Sequence, residues 1–163
     1  PLEVTFKEEV SEESADQAVK IYRDYYETKG QLEAHLYDGI KEILQQLSQD
    51  PSKKIFITTS KNEPIALEMC KHLGITEYFD GIYGSTPTAF HKADVLRRAI
   101  TENKAPKDQS VIVGDTKFDL IGGKTVGIKT IAVTWGFGKN ETLLAENPDF
   151  IADTTQELCD ILK

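Results

Sequence analysis

The stretch VIVGDTKFD, residues 111–119, decides the fold of this chain and points to its chemistry. Its first three residues form a short, continuous apolar run, which predicts a strand that is covered on both faces of a sheet. A turn follows at once and carries two carboxylates four residues apart, Asp115 and Asp119. We expect both side chains to converge on one side of the helix that this turn begins.

Carboxylate oxygens of this kind suit Mg²⁺, which binds one or two protein carboxylates and keeps water or phosphate in its other positions. Aspartate is also favoured at helix N-termini, because it interacts well with the helix dipole. A pair of helix caps is therefore the alternative for Asp115 and Asp119 when the turn is taken alone. The magnesium interpretation depends on other polar residues that reach the same place.

Short apolar runs recur on both sides of this stretch, and amphipathic segments lie between them. The predicted strands are 55–58, 81–84, 111–113, 130–133 and 150–152, and the predicted helices lie around 40–47, 62–73, 91–101, 120–126 and 158–162. This alternation predicts an α/β fold, a parallel sheet with helices on both faces. Right-handed crossovers bring the carboxyl ends of such strands to one edge, where ligands of open α/β sheets bind.

The first part of the chain, residues 1–36, has a purely helical pattern, with one clear helix at about 11–29. Apolar residues recur there at helical spacing, and Gly30 follows as a stop signal. We therefore expect two parts, a small helical lobe at 1–36 and the α/β domain at 37–163.

Two further polar clusters stand at the expected edge of the sheet. Thr59 and Ser60 follow the first predicted strand, where hydroxyls and backbone N–H groups can bind phosphate oxygens, although capping of the next helix is the alternative. Lys92 stands at the start of a helix, where its charge opposes the helix dipole. A nearby anion would relieve this conflict, and a solvated surface lysine is the alternative.

Composition excludes several classes of protein. The net charge of −8 argues against general binding to DNA or RNA, which requires basic surface. No apolar run approaches the roughly 20 residues of a membrane span, and no signal peptide opens the chain. The two cysteines, Cys70 and Cys159, lie far apart in predicted helices, which favours packed thiols and a reducing cytoplasm over a disulfide framework.

Taken together, the three clusters resemble the haloacid dehalogenase-like superfamily, and more narrowly its phosphoglycolate phosphatase-like branch. Thr59 is similar to the second motif of this family, Lys92 to the third, and the turn from Gly114 to Asp119 to the fourth. The loop TWGFG at 134–138 resembles the loop that follows the next strand in this branch. The resemblance implies a Rossmann-like core, a partial helical cap at residues 1–36 and a Mg²⁺ cofactor.

The family's first motif, Asp-x-Asp-Gly-Thr, has no counterpart, since no Asp-x-Asp occurs in the sequence. The chain opens where the family would already be inside its cap, so we expect that the first quarter of a parent protein is missing. The central strand of the sheet would then be absent, leaving a gap of about 4.8 Å to each neighbouring strand. Either another polypeptide supplies this strand, or the sequence is incomplete, or the gap closes by rearrangement.

The resemblance implies a magnesium-dependent phosphatase that acts on a small phosphorylated metabolite through an aspartyl-phosphate, whose nucleophile is missing here. Asp115 and Asp119 would hold Mg²⁺, Lys92 would stabilise the transferred group, and Thr59 with the backbone of Ser60 would bind a phosphoryl oxygen. Phosphoglycolate is the substrate expected from the branch. The alternatives are a nucleotidase, a pyrophosphatase, a sugar phosphomutase, or a non-catalytic binding module. We expect the 163-residue chain alone to be inactive.

Overall fold

The computed structural model describes residues 11–28, 30 and 33–163. The chain divides into two compact units, Pro1–His35 and Leu36–Lys163. In the first unit, helix α1 covers Glu12–Thr28, and Ala15 and Val19 on it are buried. Residues 1–10, 29, 31 and 32, which belong to the predicted helical lobe, lie outside the described residues.

The second unit alternates strands with helices along the chain, and this confirms the predicted α/β class. Two short 3₁₀ segments, Thr76–Tyr78 and Lys107–Gln109, precede β2 and β3. Its elements are α2 Ile40–Ser48, β1 Phe56–Asn62, α3 Glu63–His72, β2 Gly81–Ser85, α4 Lys92–Glu102, β3 Val111–Gly114, α5 Lys117–Val126, β4 Lys129–Val133, α6 Asn140–Leu144, β5 Phe150–Ala152 and α7 Thr155–Leu162. In the part of the chain that the structure describes, no helix is both long and apolar enough to cross a membrane.

All strand pairs between these elements are parallel, as predicted. They form two sheets, one with the order β1-β2 and one with the order β3-β4-β5. Two details differ from the sequence prediction. Strand β1 runs on to Asn62 through polar residues, with an irregular register after Thr58. Helix α6 was not predicted, because its five residues are too few to show a helical period and only Leu143 among them is buried.

Alternate residues of β4 point to opposite faces of its sheet and pack against different helices. Ile131 and Val133 belong to a cluster with residues of α2, β5 and α7, whereas Ala132 packs in another cluster with Leu120 of α5 and Leu143 of α6. Helices therefore cover both faces of the β3-β4-β5 sheet. Cys70 and Cys159 are buried free thiols in helices, and burial raises the pKa of the Cys70 thiol.

A groove of about 850 Å³ separates the two sheets. Among residues 11–28, 30 and 33–163, no strand lies between β1 and β3. Val111 and Val113 of β3 line this groove and are each 38% exposed, although Ile112 between them is buried. Apolar side chains of β1, β3, α2, α4 and α7 line the groove, among them Ile57, Val113, Leu47, Leu96 and Leu158.

Candidate active site

Lys92 connects the two sheets. It is the first residue of α4, and its Nζ donates a hydrogen bond to the carbonyl oxygen of Thr58 on β1 (2.5 Å). The same Nζ forms an ion pair with Oδ1 of Asp119, which follows β3 (2.7 Å). Only 15% of the Lys92 side chain is exposed. The lysine that we expected to have an anion nearby therefore lies beside a carboxylate, where the regular part of β1 ends and the turn after β3 begins.

Asp119 uses both of its carboxylate oxygens within the protein. While Oδ1 binds Lys92, Oδ2 accepts hydrogen bonds from the backbone N–H and the hydroxyl of Thr116. The bond from the Thr116 N–H is one half of a capping box at the start of α5, and in the other half the Thr116 side chain accepts from the backbone N–H of Asp119. The helix-cap alternative for the carboxylate pair is thus realised at Asp119, which at the same time holds the site lysine. The backbone of Gly114 passes so close that a Cβ there would lie 2.8 Å from Oδ2 of Asp119.

Asp115 begins the turn after β3 and lies beside a different part of the chain. Its Oδ2 accepts a hydrogen bond from the backbone N–H of Phe137, which lies in the loop after β4 (2.8 Å). No other hydrogen bond or ion pair of the Asp115 carboxylate occurs among the described residues. Oδ1 of this carboxylate therefore keeps its lone pairs for another ligand.

Thr59 and Ser60 follow directly on Thr58, whose carbonyl oxygen binds Lys92. The hydroxyl of Thr59 accepts a hydrogen bond from the backbone N–H of Lys61 (3.2 Å), which forms a tight turn of the backbone there. Thr59 is partly buried and Ser60 is exposed. Both residues belong to the irregular part of β1 rather than to a loop after it, between the register pairs of Thr58 and Asn62.

The structure brings the residues singled out in the sequence to one edge of the molecule. Lys92 contacts Thr58 directly, one residue before Thr59, and contacts Asp119 directly. Asp115 bonds neither Lys92 nor Asp119 directly: its hydrogen bond among the described residues goes to Phe137, and Thr116, the next residue in the chain, bonds Asp119. The end of the regular part of β1 and the turn after β3, although separated by the groove, are thus connected through Lys92 and Asp119.

Several contributors to this edge were not recognised from the sequence. The Thr58 carbonyl and the Phe137 N–H act through the backbone, where residue type gives no signal. Three phenylalanines within two residues of a site residue in the sequence, or bonded to one through the backbone, are exposed: Phe90, Phe118 and Phe137. Exposed aromatic residues can be distinguished from core residues only when the fold is known.

The donor atoms at this edge fit a magnesium ion. The described residues contain no group of three or more histidine, cysteine or acidic side chains that could hold a metal. Mg²⁺ does not require such a cage, because it binds one or two carboxylates and fills its other positions with water and phosphate. Asp115 offers a carboxylate oxygen with no partner among the described residues, and Asp119 is four residues away on the same turn.

Comparisons with known proteins agree with this geometry. The family model described as "Haloacid dehalogenase-like hydrolase" matches residues 1–133. The chain is 28% identical over 161 residues to a phosphoglycolate phosphatase from Vibrio vulnificus, covering 98% of this chain and 70% of that protein. It is 31% identical over 139 residues to a 5′-nucleotidase from Pseudomonas aeruginosa, covering 84% and 62% of the two chains. A haloacid dehalogenase-like family hydrolase from Streptococcus pneumoniae superimposes with a TM-score of 0.93 at 43% identity, covering 100% and 77%.

Proposed function

We propose a role in phosphate-ester hydrolysis for this chain, which belongs to the haloacid dehalogenase-like hydrolase family. The substrate in this proposal is a small phosphorylated metabolite, and phosphoglycolate is the first candidate, since a phosphoglycolate phosphatase is among the relatives. The likeness to a 5′-nucleotidase keeps a nucleoside monophosphate as the alternative.

The observation that carries the proposal is the position of Lys92. A largely buried ammonium group lies between the ends of two strands and is fixed by Asp119 and by the Thr58 carbonyl. A fixed cation at this point can stabilise the negative charge that gathers on a phosphoryl group during transfer. Because the position is already set, little reorganisation is needed when the charge develops.

The other site residues have distinct roles in this proposal. Thr59 and the backbone N–H of Ser60 would bind one phosphoryl oxygen, since both lie beyond the Thr58 carbonyl that fixes Lys92. Asp115 and Asp119 would hold Mg²⁺. Oδ1 of Asp115 would bind the ion directly, whereas Asp119, whose oxygens bind Lys92 and Thr116, would contribute through the lone pairs that these bonds leave. When bound, the ion would offset the charge of the phosphate and of an attacking carboxylate.

The attacking carboxylate belongs to a strand in the groove between β1 and β3. This groove is lined on both faces by apolar side chains of helices, which suits an extended, continuously apolar segment. A parallel strand there would end at the same edge as β1 and β3, beside Lys92 and Asp115. We propose that such a strand, from another polypeptide or from a longer form of this chain, supplies the nucleophile.

The experiment compares two proteins in an assay for p-nitrophenyl phosphate hydrolysis with Mg²⁺. The 163-residue chain alone is expected to give no turnover above background. The same chain extended by a strand that ends in Asp-x-Asp is expected to be active and to lose activity on Asp115→Asn. Activity of the unextended chain that disappears in Asp115→Asn would contradict the proposed missing nucleophile.

The open groove also favours a second candidate, a binding module that takes up a strand of a partner or a phosphate without turnover. The two candidates separate in the extended protein. Turnover of phosphoglycolate or of a nucleoside monophosphate would support the phosphatase. Phosphate binding with no turnover, in a protein shown to be folded, would support the module.

A further inference from the structure

The loop at residues 134–138, which follows β4, wraps around Asp115. It begins at Thr134, whose hydroxyl donates to Oδ1 of Asp153 after β5 (2.7 Å). Trp135 comes next and packs against the cluster between β4, α2 and α7. Two residues later the N–H of Phe137 donates to Oδ2 of Asp115 (2.8 Å). The loop is thus anchored at its start and reaches the carboxylate with its tip.

Two glycines allow this close approach. A Cβ on Gly136 would lie 2.6 Å from Cγ of Asp115, and a Cβ on Gly138 would overlap the carbonyl oxygen of Asp115. Neither glycine has a positive φ, in contrast to Gly39, Gly74 and Gly127. The requirement for glycine at 136 and 138 is therefore a requirement for space beside Asp115, not for an unusual backbone conformation.

Packing of the Phe137 side chain does not explain the position of the loop. Phe137 is 93% exposed. The part of Phe137 that makes a specific contact is its N–H group, and the atom that accepts it is a carboxylate oxygen of the proposed metal site. A hydrogen bond to a carboxylate is stronger than a bond between neutral groups and fixes the direction of the acceptor.

We infer that Phe137 is a positioning residue that orients Asp115 through its backbone N–H, and that Gly136 and Gly138 permit this contact. With Oδ2 fixed by the loop, Oδ1 is turned to the place where a divalent cation would bind. This inference rests on the proposed function, because it assigns Asp115 to a metal. Hydrogen-bond partners of metal ligands commonly change metal affinity by about 10–100-fold when they are lost.

The test uses the 163-residue chain and Mn²⁺ alone, with binding followed by electron paramagnetic resonance. Phe137→Pro removes the phenyl ring and the N–H and restricts the backbone, whereas Phe137→Ala removes only the ring, so the pair separates backbone effects from those of the ring. We expect Phe137→Pro to weaken Mn²⁺ binding by about tenfold or more. Phe137→Ala is expected to bind as the wild type does. Gly136→Ala is expected to resemble Phe137→Pro.

Each outcome decides a separate question. Wild-type affinity in Phe137→Pro, or an equal loss in Phe137→Ala, would overturn the role of the N–H while leaving the proposed function intact. Mn²⁺ binding that is unchanged in Asp115→Asn, or absent from the wild type, would overturn the metal assignment and this inference with it.

A second measurement covers the case in which Phe137→Pro fails to fold. Amide hydrogen exchange at Phe137 is followed in the wild type and in Asp115→Ala without metal. We expect protection of this one amide to fall when the carboxylate is removed, while amides of β4 remain protected. Unchanged protection at Phe137 would contradict the contact itself.

Discussion

The two sheets of the second unit differ in how completely they are packed. In the three-stranded sheet, four of the five residues of β4 are buried, and helices cover both faces. In the two-stranded sheet, no residue of β1 is buried and only Gly84 of β2 is. The groove lies between them and is lined by the strand of each sheet that faces the other, β1 and β3.

The β3-β4-β5 sheet is therefore folded around its own core, whereas the packing of the β1-β2 sheet depends on an additional strand. The β1-β2 sheet is held by contacts with α3 and α4, including an ion pair between Glu63 and Arg98 in which Glu63 also accepts from the N–H of Gly84. Lys92 connects it to the edge of the other sheet. The site therefore lies between a well-packed half of the second unit, the β3-β4-β5 sheet with its helices, and a half that is open on one side, the β1-β2 sheet with its helices.

The largest expected effect concerns the packed half. Ile131 of β4 is 1% exposed, and we expect Ile131→Ala to lower the free energy of unfolding by about 2–5 kcal/mol, because it leaves a cavity in a closed core. The matched variant Ile57→Ala, on β1 beside the groove, should cost clearly less in the chain alone. Urea denaturation measures both. Equal costs would mean that β1 is as well packed as β4.

The next effect concerns the connection between the halves. In the chain extended by an Asp-x-Asp strand, we expect Lys92→Ala to lower kcat by about a hundredfold or more, the scale for losing one group that stabilises the transition state. Lys107→Ala, an exposed lysine outside the site, is the control and should leave kcat unchanged. Steady-state kinetics with p-nitrophenyl phosphate gives the result. Unchanged kcat in Lys92→Ala would remove this lysine from the site.

Much of this arrangement was predictable because the signals are local. Short runs of three or four residues marked all five strands, and the GDTKFD turn marked the carboxylate pair. Since parallel strands place their carboxyl ends at one edge, the location of Lys92 and Asp119 at the same edge could be predicted from the fold class. The helical lobe at 1–36 and the roles of the site residues stay predictions.

The remaining features depend on contacts between distant segments. The spacing of residues in the sequence does not determine whether the Asp119 carboxylate binds a metal or Lys92, because this depends on side-chain geometry. In the structure, both oxygens of Asp119 form bonds within the protein. The contact between Asp115 and the N–H of Phe137 spans 22 residues and involves a backbone donor. Glycines at 136 and 138 were the available sign of a close approach, but they gave no indication of the partner.

The smallest expected effect is a pH-dependent contribution to stability from a carboxylate before β5, the outer strand of the packed half. Asp149, just before β5, accepts hydrogen bonds from the hydroxyl and the N–H of the buried Thr130, and these bonds lower the pKa of its carboxyl. A carboxyl whose pKa is lower in the folded state stabilises the protein at pH values above the pKa of that carboxyl in the unfolded chain, which is about 3.9. That contribution disappears as the pH falls through the folded pKa.

Asp149→Asn should therefore be less stable than the wild type at neutral pH, by less than about 1 kcal/mol because the carboxylate is exposed to solvent. The difference should shrink as the pH falls below about 4, where the wild-type carboxyl also becomes neutral. Urea denaturation across this pH range measures it, with Asp108→Asn as an exposed control. A difference that stays constant down to low pH would show that geometry, not the charge of Asp149, supports Thr130 at this edge of the packed sheet.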